Sequence, residues 1–221
     1  EKIEKIQEKI DSDPQSDEVK QTERHLWEKI YKKSAQGRRT GVGITGEGDM
    51  LAALGLRYGS DKAIEFAVEV QKTLAVEAYR SSVNMASERG AFPIYDTKRE
   101  ENNPMIDRIR TADAALYEQM SKVGRRNISL LTIAPTGTTS LMTQTTSGIE
   151  PVFLPFYIRR RQVNPNDLNA VITFKDDVGD CWEEYYVFHH KFLTWCEVNG
   201  IPAENVKKII SHIILICIIQ M

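Results

Sequence analysis

Between Ala134 and Leu141 the chain reads Pro135, Thr136, Gly137, Thr138, Thr139 and Ser140. A proline, a glycine and a cluster of hydroxyls follow directly on the apolar, β-branched run from Leu131 to Ala134. The hydroxyl residues are expected to open a helix. A helix start leaves about four backbone N–H groups unpaired and carries a partial positive charge. Gly137 lets a ligand approach the backbone closely, and Thr136, Thr138, Thr139 and Ser140 can add side-chain donors. Such a turn suits a phosphate or diphosphate. Charge-assisted hydrogen bonds contribute roughly 1.5–3 kcal/mol each, so a few of them hold a diphosphate without a lysine. The Walker Gly-Lys-Ser/Thr pattern is absent, and plain N-capping by Thr or Ser is the other reading of the same residues.

Other groups promise less chemistry. Gly41-Val-Gly43-Ile-Thr-Gly46 matches the Gly-x-Gly-x-x-Gly of dinucleotide sites, but that fingerprint needs a strand before its first glycine and a helix opening within it. Here a helix and Gly-Arg-Arg precede, the glycines fall inside the extended segment, and the acid at the right distance, Glu65, sits in mid-helix. Glu47 and Asp49 read as turn and helix-start residues. Arg159, Arg160 and Arg161 alternate faces if extended, so at most two point together, and a solvated or packing role is expected. His189, His190 and Cys196 are expected on one helix, where His189 and Cys196 share a face two turns apart with no third ligand on it, so a structural role is expected. No nucleophile–base–acid set is present.

These residues need elements to hold them. Residues 1–10 and about 18–35 read as helices separated by a polar loop at 11–17. GVGIT (41–45) is a short strand candidate, and a helix carrying Met50, Leu51 and Leu54 follows the Gly46–Gly48 turn. The clearest helix lies between a Ser60 N-cap and Gly90, with Ala63, Ala67, Val70, Leu74 and Ala78 as its expected buried stripe. AFPIYD (91–96) reads as extended, TKREENN as a charged loop, and 112–122 as a helix ended by Gly124. NISLLTIA (127–134) is the strongest strand candidate. YIRRRQV (157–163) is expected extended, with helices at 183–198 and from Pro202 on. "SAQGRRTGVGITGEGDML" and "SKVGRRNISLLTIAPTGTTSL" repeat one order: helix, Gly-Arg-Arg, strand, Gly-containing turn, helix. Alternation of this kind favours a parallel α/β sheet or barrel, which binds ligands at the C-terminal ends of its strands.

The bulk composition excludes several classes. The chain has 221 residues, 41% of them hydrophobic and 27% charged, in the ordinary globular range. A net charge of −2 argues against a general nucleic-acid or membrane-surface binder. EKIEKIQEKI is no signal peptide, and the odd cysteines Cys181, Cys196 and Cys217, with no Cys-x-x-Cys, point to a reducing, cytoplasmic setting. The Ile-rich stretch from Ile209 to Ile219 is shorter than the roughly 20 residues of a membrane span, so a buried helix or a truncated end is expected, in a piece of something larger.

Four stretches carry a family resemblance: "GRRTGVGITGEGDMLAALGLRYGS" (37–60), "ERGAFPIYD" (88–96), "GRRNISLLTIAPTGTTSLMTQTTSGIEPVF" (124–153) and "YIRRR" (157–161). In order and spacing the chain resembles, from about residue 18 to about 200, the catalytic large chain of ribonucleotide reductase, most closely the adenosylcobalamin-dependent class II type. The resemblance implies a helix-rich α/β fold, part of a ten-stranded α/β barrel, of which this chain is the C-terminal half. It implies a lead-in segment at 1–36, barrel strands with the turn at 37–163, and a helical segment at 164–221. In that family the turn grips the substrate's phosphates, which falls here on Pro135, Thr136, Gly137, Thr138 and Thr139, with Ser140 a neighbour. Relatives with a separate radical-generating subunit tend to carry an acidic residue and Ser where Gly137 stands, which favours the cobalamin type.

Adenosylcobalamin, a ribonucleoside di- or triphosphate substrate, a thioredoxin-like reductant and a homodimer of the full enzyme are likewise implied by resemblance. The family's Cys-Gly-Glu finger loop is missing, and Cys181, Cys196 and Cys217 match none of its redox cysteines. The chain alone is therefore expected to lack turnover. A non-catalytic nucleotide-phosphate-binding module and a nicotinamide-dependent oxidoreductase built on Gly41–Gly46 are the rival readings.

Overall fold

A computed structural model describes residues 2–164, 167, 169 and 171–202. The helix expected from Pro202 on and the Ile-rich stretch lie outside the described residues. In chain order the elements are α1 (Lys2–Ser12), α2 (Asp17–Gly37), α3 (Glu47–Ala53), α4 (Asp61–Arg89), α5 (Pro104–Ala112), α6 (Ala114–Val123), α7 (Gly137–Thr143), β1 (Phe156–Gln162), β2 (Phe174–Lys175), β3 (Cys181–Phe188) and α8 (His190–Val198). They fall into two compact units, one of Glu1–Gly43 with Asp61–Ala134, the other of Ile44–Ser60 with the described residues from Pro135 on.

The first unit is built on α4. Its core joins Ala75, Tyr79 and Val83 of α4 to Ile106 and Ile109 of α5, Leu116 and Met120 of α6, and Leu130. The stripe expected on α4 is only half right. Ala63 is buried, Ala67, Val70, Leu74 and Ala78 are half-buried, and full burial passes to Ala75, Tyr79, Ser82, Val83 and Ala86. The side of α4 that α5 and α6 cover lies in its C-terminal half, and no local pattern announces that.

Polar side chains set the helix ends. Asn103 accepts from the Met105 N–H with Pro104 at the first turn of α5, and Asp113 closes α5 and accepts from the Leu116 N–H at the start of α6. That N–H, with the Arg80 guanidinium 2.8 Å away, holds the Asp113 carboxyl below the usual aspartate range. A depressed carboxylate contributes stability in full above its unfolded value, about 3.9, and loses it as the pH falls through its own lower one. Asp113→Ala is therefore expected to be less stable than the parent at neutral pH, with the gap closing in urea titrations taken below about pH 4.

The repeated Gly-Arg-Arg segments lie side by side in this unit. Ile128 N–H donates to the Gly37 carbonyl (2.9 Å), Thr40 N–H to Ser129 (3.0 Å), Val42 N–H to Leu130 (2.7 Å) and Thr132 N–H to Val42 (3.0 Å). Among the described residues Val42 and Leu131 form the one parallel bridge, so the strands expected at 41–45 and 127–134 are short extended runs with one bridged pair. The direction is nonetheless the parallel one that the strand–helix order predicted. Residues 91–96 contain a turn and no strand, since the Phe92 carbonyl folds back to accept from Tyr95 N–H at 2.9 Å.

After Gly124, which takes φ 75°, Arg125 turns inward and Arg126 donates to the carbonyls of Arg89 (2.8 Å) and Gly90 (2.9 Å), satisfying the end of α4. Arg125 is 2% exposed and ion-paired to Glu100. It also donates to the carbonyls of Asn127 (3.1 Å) and Ile128 (3.3 Å) and lies 5.4–5.8 Å from the ring centres of Tyr79, Phe92 and Tyr95.

In the second unit an antiparallel sheet of order β1-β3-β2 pairs Phe156 with Phe188 and Gln162 with Trp182. β1 sits where an extended segment was expected. The helix expected over 183–198 is a correction: residues 181–188 form β3, and only His190–Val198 is helical. Trp182, Tyr185, Tyr186, Val187 and Phe188 are aromatic or β-branched, and β1 offers them a partner that a local reading does not see.

Candidate functional site

α7 begins in an unusual way. Thr136, the residue before it, is left-handed at φ 50° and ψ 26°, and no side chain caps the helix. Among the described residues, no hydrogen bond takes up the N–H groups of Gly137, Thr138 and Thr139; the first one satisfied is Ser140 N–H, on the Thr136 carbonyl at 2.8 Å. Pro135, Gly137, Thr138 and Thr139 are exposed. A β-carbon built on Gly137 would meet nothing within 4 Å, so this face is open to approach. The hydroxyls of Thr138 and Thr139 likewise make no hydrogen bond among the described residues.

The other two hydroxyls of the cluster face inward. Thr136 Oγ1 accepts from the Gly148 N–H at 2.6 Å and lies 2.9 Å from Thr45 Oγ1, which donates to the Thr146 carbonyl at 3.1 Å. Ser140 is buried, donating to the Gly137 carbonyl (2.9 Å) and lying 2.8 Å from Ser147 Oγ. The sequence reading missed Thr45, Thr146, Ser147 and Gly148, although the hydroxyl run Thr145–Ser147 before Gly148 is a visible signal.

The start of α3 shows the opposite arrangement. Glu47 N–H donates to the Gly148 carbonyl (3.2 Å) and Asp49 N–H to Thr146 Oγ1 (3.3 Å), while Asp49 Oδ2 accepts from Thr146 N–H (3.1 Å). This reciprocal pairing copies a capping box across two segments. Gly48 is pressed against the same loop, where a β-carbon would come within 2.5 Å of the Glu150 carbonyl oxygen. Glu47 and Asp49 thus stand in the first turn of a helix, as expected, with their amides used by the protein. Of the two echoing turns, the one at 136–139 leaves three successive amides without an acceptor among the described residues, whereas the first and third amides of α3 are taken.

The glycines of the dinucleotide-like motif have a packing reason. Gly43 runs so close to its neighbour that a β-carbon would lie 2.3 Å from the Thr132 carbonyl oxygen, and one on Gly41 would lie 2.8 Å from Thr132 Cγ2. α3 opens only at Glu47, after the motif. Glu65 is an exposed residue within α4.

Arg160 pairs with Glu184 (2.6 Å) and Arg161 with Glu183 (2.5 Å) across β1 and β3. The sequence reading placed His189, His190 and Cys196 on one helix; His190 and Cys196 lie on α8, His189 precedes it, and His189 Nε2 is 3.9 Å from Asp49 Oδ1. Among the described residues no three His, Cys, Asp or Glu are grouped to hold a metal, and no helix is long and apolar enough to cross a membrane.

Comparison with known proteins bears on this geometry. The model of the ribonucleotide reductase barrel domain matches residues 16–208. The vitamin B12-dependent ribonucleoside-diphosphate reductase of Mycobacterium tuberculosis is 31% identical over 144 residues, covering 65% of this chain and 18% of that protein. The enzyme of the same name from Thermoplasma acidophilum is 32% identical over 133 residues, 60% of this chain and 15% of its own. The ribonucleoside-diphosphate reductase subunit alpha of Chlamydia pneumoniae is 30% identical over 141 residues, 55% of this chain and 14% of its own. The chain thus spans less than a fifth of the length of these curated relatives. With its family model matched over most of its residues, the chain belongs to the ribonucleotide reductases, within their barrel domain.

Proposed function

We propose that this chain is the part of a ribonucleotide reductase that holds the phosphates of the substrate, through Pro135, Thr136, Gly137, Thr138 and Thr139. The reading rests on the amides of three exposed residues that find no acceptor among the described residues, with two hydroxyls that make no hydrogen bond among them, in a family whose named members are ribonucleoside-diphosphate reductases. A di- or triphosphate tail brings the negative charge that such donors lack.

In the full enzyme the paired segments at 37–43 and 128–132 belong to a ten-stranded α/β barrel. The divisions at 1–36, 37–163 and 164–221 serve as lead-in, barrel strands with the turn, and C-terminal segment. The reaction replaces the ribose 2′-hydroxyl by hydrogen, with a thiyl radical taking the 3′-hydrogen and a cysteine pair giving two electrons. A thioredoxin-like protein then reduces that pair. The enzyme works in the cytoplasm, as a homodimer.

By analogy with the vitamin B12-dependent enzymes of Mycobacterium tuberculosis and Thermoplasma acidophilum, the radical would come from bound adenosylcobalamin. No described residue of this chain is assigned to hold the cofactor.

Titration of the 221-residue chain with ADP tests the reading. Binding is expected without turnover, and Thr138→Ala is expected to weaken it about tenfold, the worth of one hydrogen bond to a charged group. No binding, or binding indifferent to Thr138, would remove the proposal. The nicotinamide reading predicts the reverse pattern, with NAD binding abolished by Gly43→Ala and Thr138 silent.

A further inference from the structure

A hydroxyl has one proton to give and two lone pairs to receive. That count fixes the direction of every bond around Thr136. Thr45 Oγ1 gives its proton to the Thr146 carbonyl at 3.1 Å, so towards Thr136, 2.9 Å away, it can only accept. The proton between the two hydroxyls therefore comes from Thr136. Thr136 Oγ1 in turn accepts from the Gly148 N–H at 2.6 Å. The bonds run one way, from Gly148 N–H to Thr136 O–H to Thr45 O–H to Thr146 C=O, and the chain closes on itself through Ser147.

From this we infer that Thr45 is a positioning residue for the substrate's phosphates and that Thr136 is not a side-chain ligand to them. The inference rests on the phosphate-site reading above and refines it. Thr136 has spent its only proton on Thr45, and a phosphate oxygen needs a donor. The side-chain donors left in the turn are Thr138 and Thr139, both exposed and without a hydrogen bond from their hydroxyls among the described residues. Thr136 has a different task. Its backbone stands at φ 50°, a conformation that β-branched residues avoid, and the amides of Gly137, Thr138 and Thr139 follow directly on it. The hydroxyl held between Gly148 and Thr45 keeps the backbone there.

Asp49 braces the far end of the relay. Its carboxylate accepts the Thr146 N–H at 3.1 Å, and the Thr146 hydroxyl accepts the Asp49 N–H at 3.3 Å, so the carbonyl that ends the relay is fixed from α3. Asp49 acts on the turn by holding Thr146.

The test compares Thr45→Val, Thr45→Ala and Thr45→Ser in the 221-residue chain, by ADP titration and by hydrogen exchange at the Gly148 amide. Valine keeps the shape of threonine and removes the hydroxyl; alanine removes the hydroxyl without adding bulk, should valine misfold; serine restores the hydroxyl. Thr45→Val and Thr45→Ala are expected to weaken ADP binding about tenfold and to speed exchange at Gly148, with Thr45→Ser near the parent in both. Combined with Thr138→Ala, the loss from Thr45→Val is expected to be less than additive, because both act through one turn. If the parent binds ADP and the hydroxyl-free variants bind equally well, the positioning role is wrong. If the parent fails to bind ADP, the phosphate site itself falls, and the role assigned to Thr45 falls with it. Exchange at Gly148 then reports only whether the relay holds the loop.

Discussion

Arg125→Ala is expected to lower the unfolding free energy of the chain by about 3–5 kcal/mol, the range for a buried ion pair stripped of one partner. The guanidinium is buried, with its side chain 3% exposed, and Glu100 opposite it is 14% exposed, so the Arg125 charge has almost no water to fall back on. Removing Arg125 leaves Glu100 unpaired, frees the carbonyls of Asn127 and Ile128, and empties the space between Tyr79, Phe92 and Tyr95. Burial pushes the phenols of Tyr79 and Tyr95 above their ordinary range, with Arg125 opposing the shift. Arg125→Lys keeps a charge but cannot reach Glu100 and two carbonyls at once, so most of the loss is expected to remain. Urea unfolding followed by circular dichroism measures both. A loss under about 1 kcal/mol for Arg125→Ala would mean that the pair is open to water.

Gly43→Ala is the second large effect. The new methyl would have to sit 2.3 Å from the Thr132 carbonyl oxygen, a backbone atom with no rotamer to escape into, so the paired segments must part. Overpacking of this kind costs about 1–3 kcal/mol, and the bond from Thr132 N–H to the Val42 carbonyl is the first in reach of the strain. Gly137→Ala is the control, since a β-carbon there meets nothing and alanine is the better helix former. Equal losses for the two would refute the packing explanation of Gly43. Thermal unfolding of both variants decides it.

The helices could be read from the sequence with good accuracy because their signals are local. Gly90 and Gly124 mark ends, and α7 starts where the hydroxyls cluster. α5 went unread although Asn103 and Pro104 announce it, because the charges around it look like loop. Residues 183–188 read as helix because Glu183 and Glu184 suit one, while the deciding partner, β1, is some twenty residues away in sequence. The repeated order of helix, Gly-Arg-Arg and strand marks extended runs at 41–45 and 127–134, yet how much of them pairs depends on neighbours that a local pattern does not contain.

At the site, the exposed donors Thr138 and Thr139 were visible from residue type alone. The split between those and the inward hydroxyls of Thr136 and Ser140 was not, since it depends on Thr45, Ser147 and Gly148 coming in from other segments. Proton counting needs partners, and partners need the fold.

Thr136 stands where asparagine or glycine would rest at ease, since both accept a left-handed backbone that threonine resists by about 1 kcal/mol or more. Glycine there would relax the main chain and leave the turn free to wander through several shapes. Asparagine could bond to its surroundings, but its amide would present both a donor and an acceptor, and the one-way order of protons would be gone. A residue that folds less comfortably thus gives the turn a single shape, and protein engineers who favour stability at position 136 would be selecting against order.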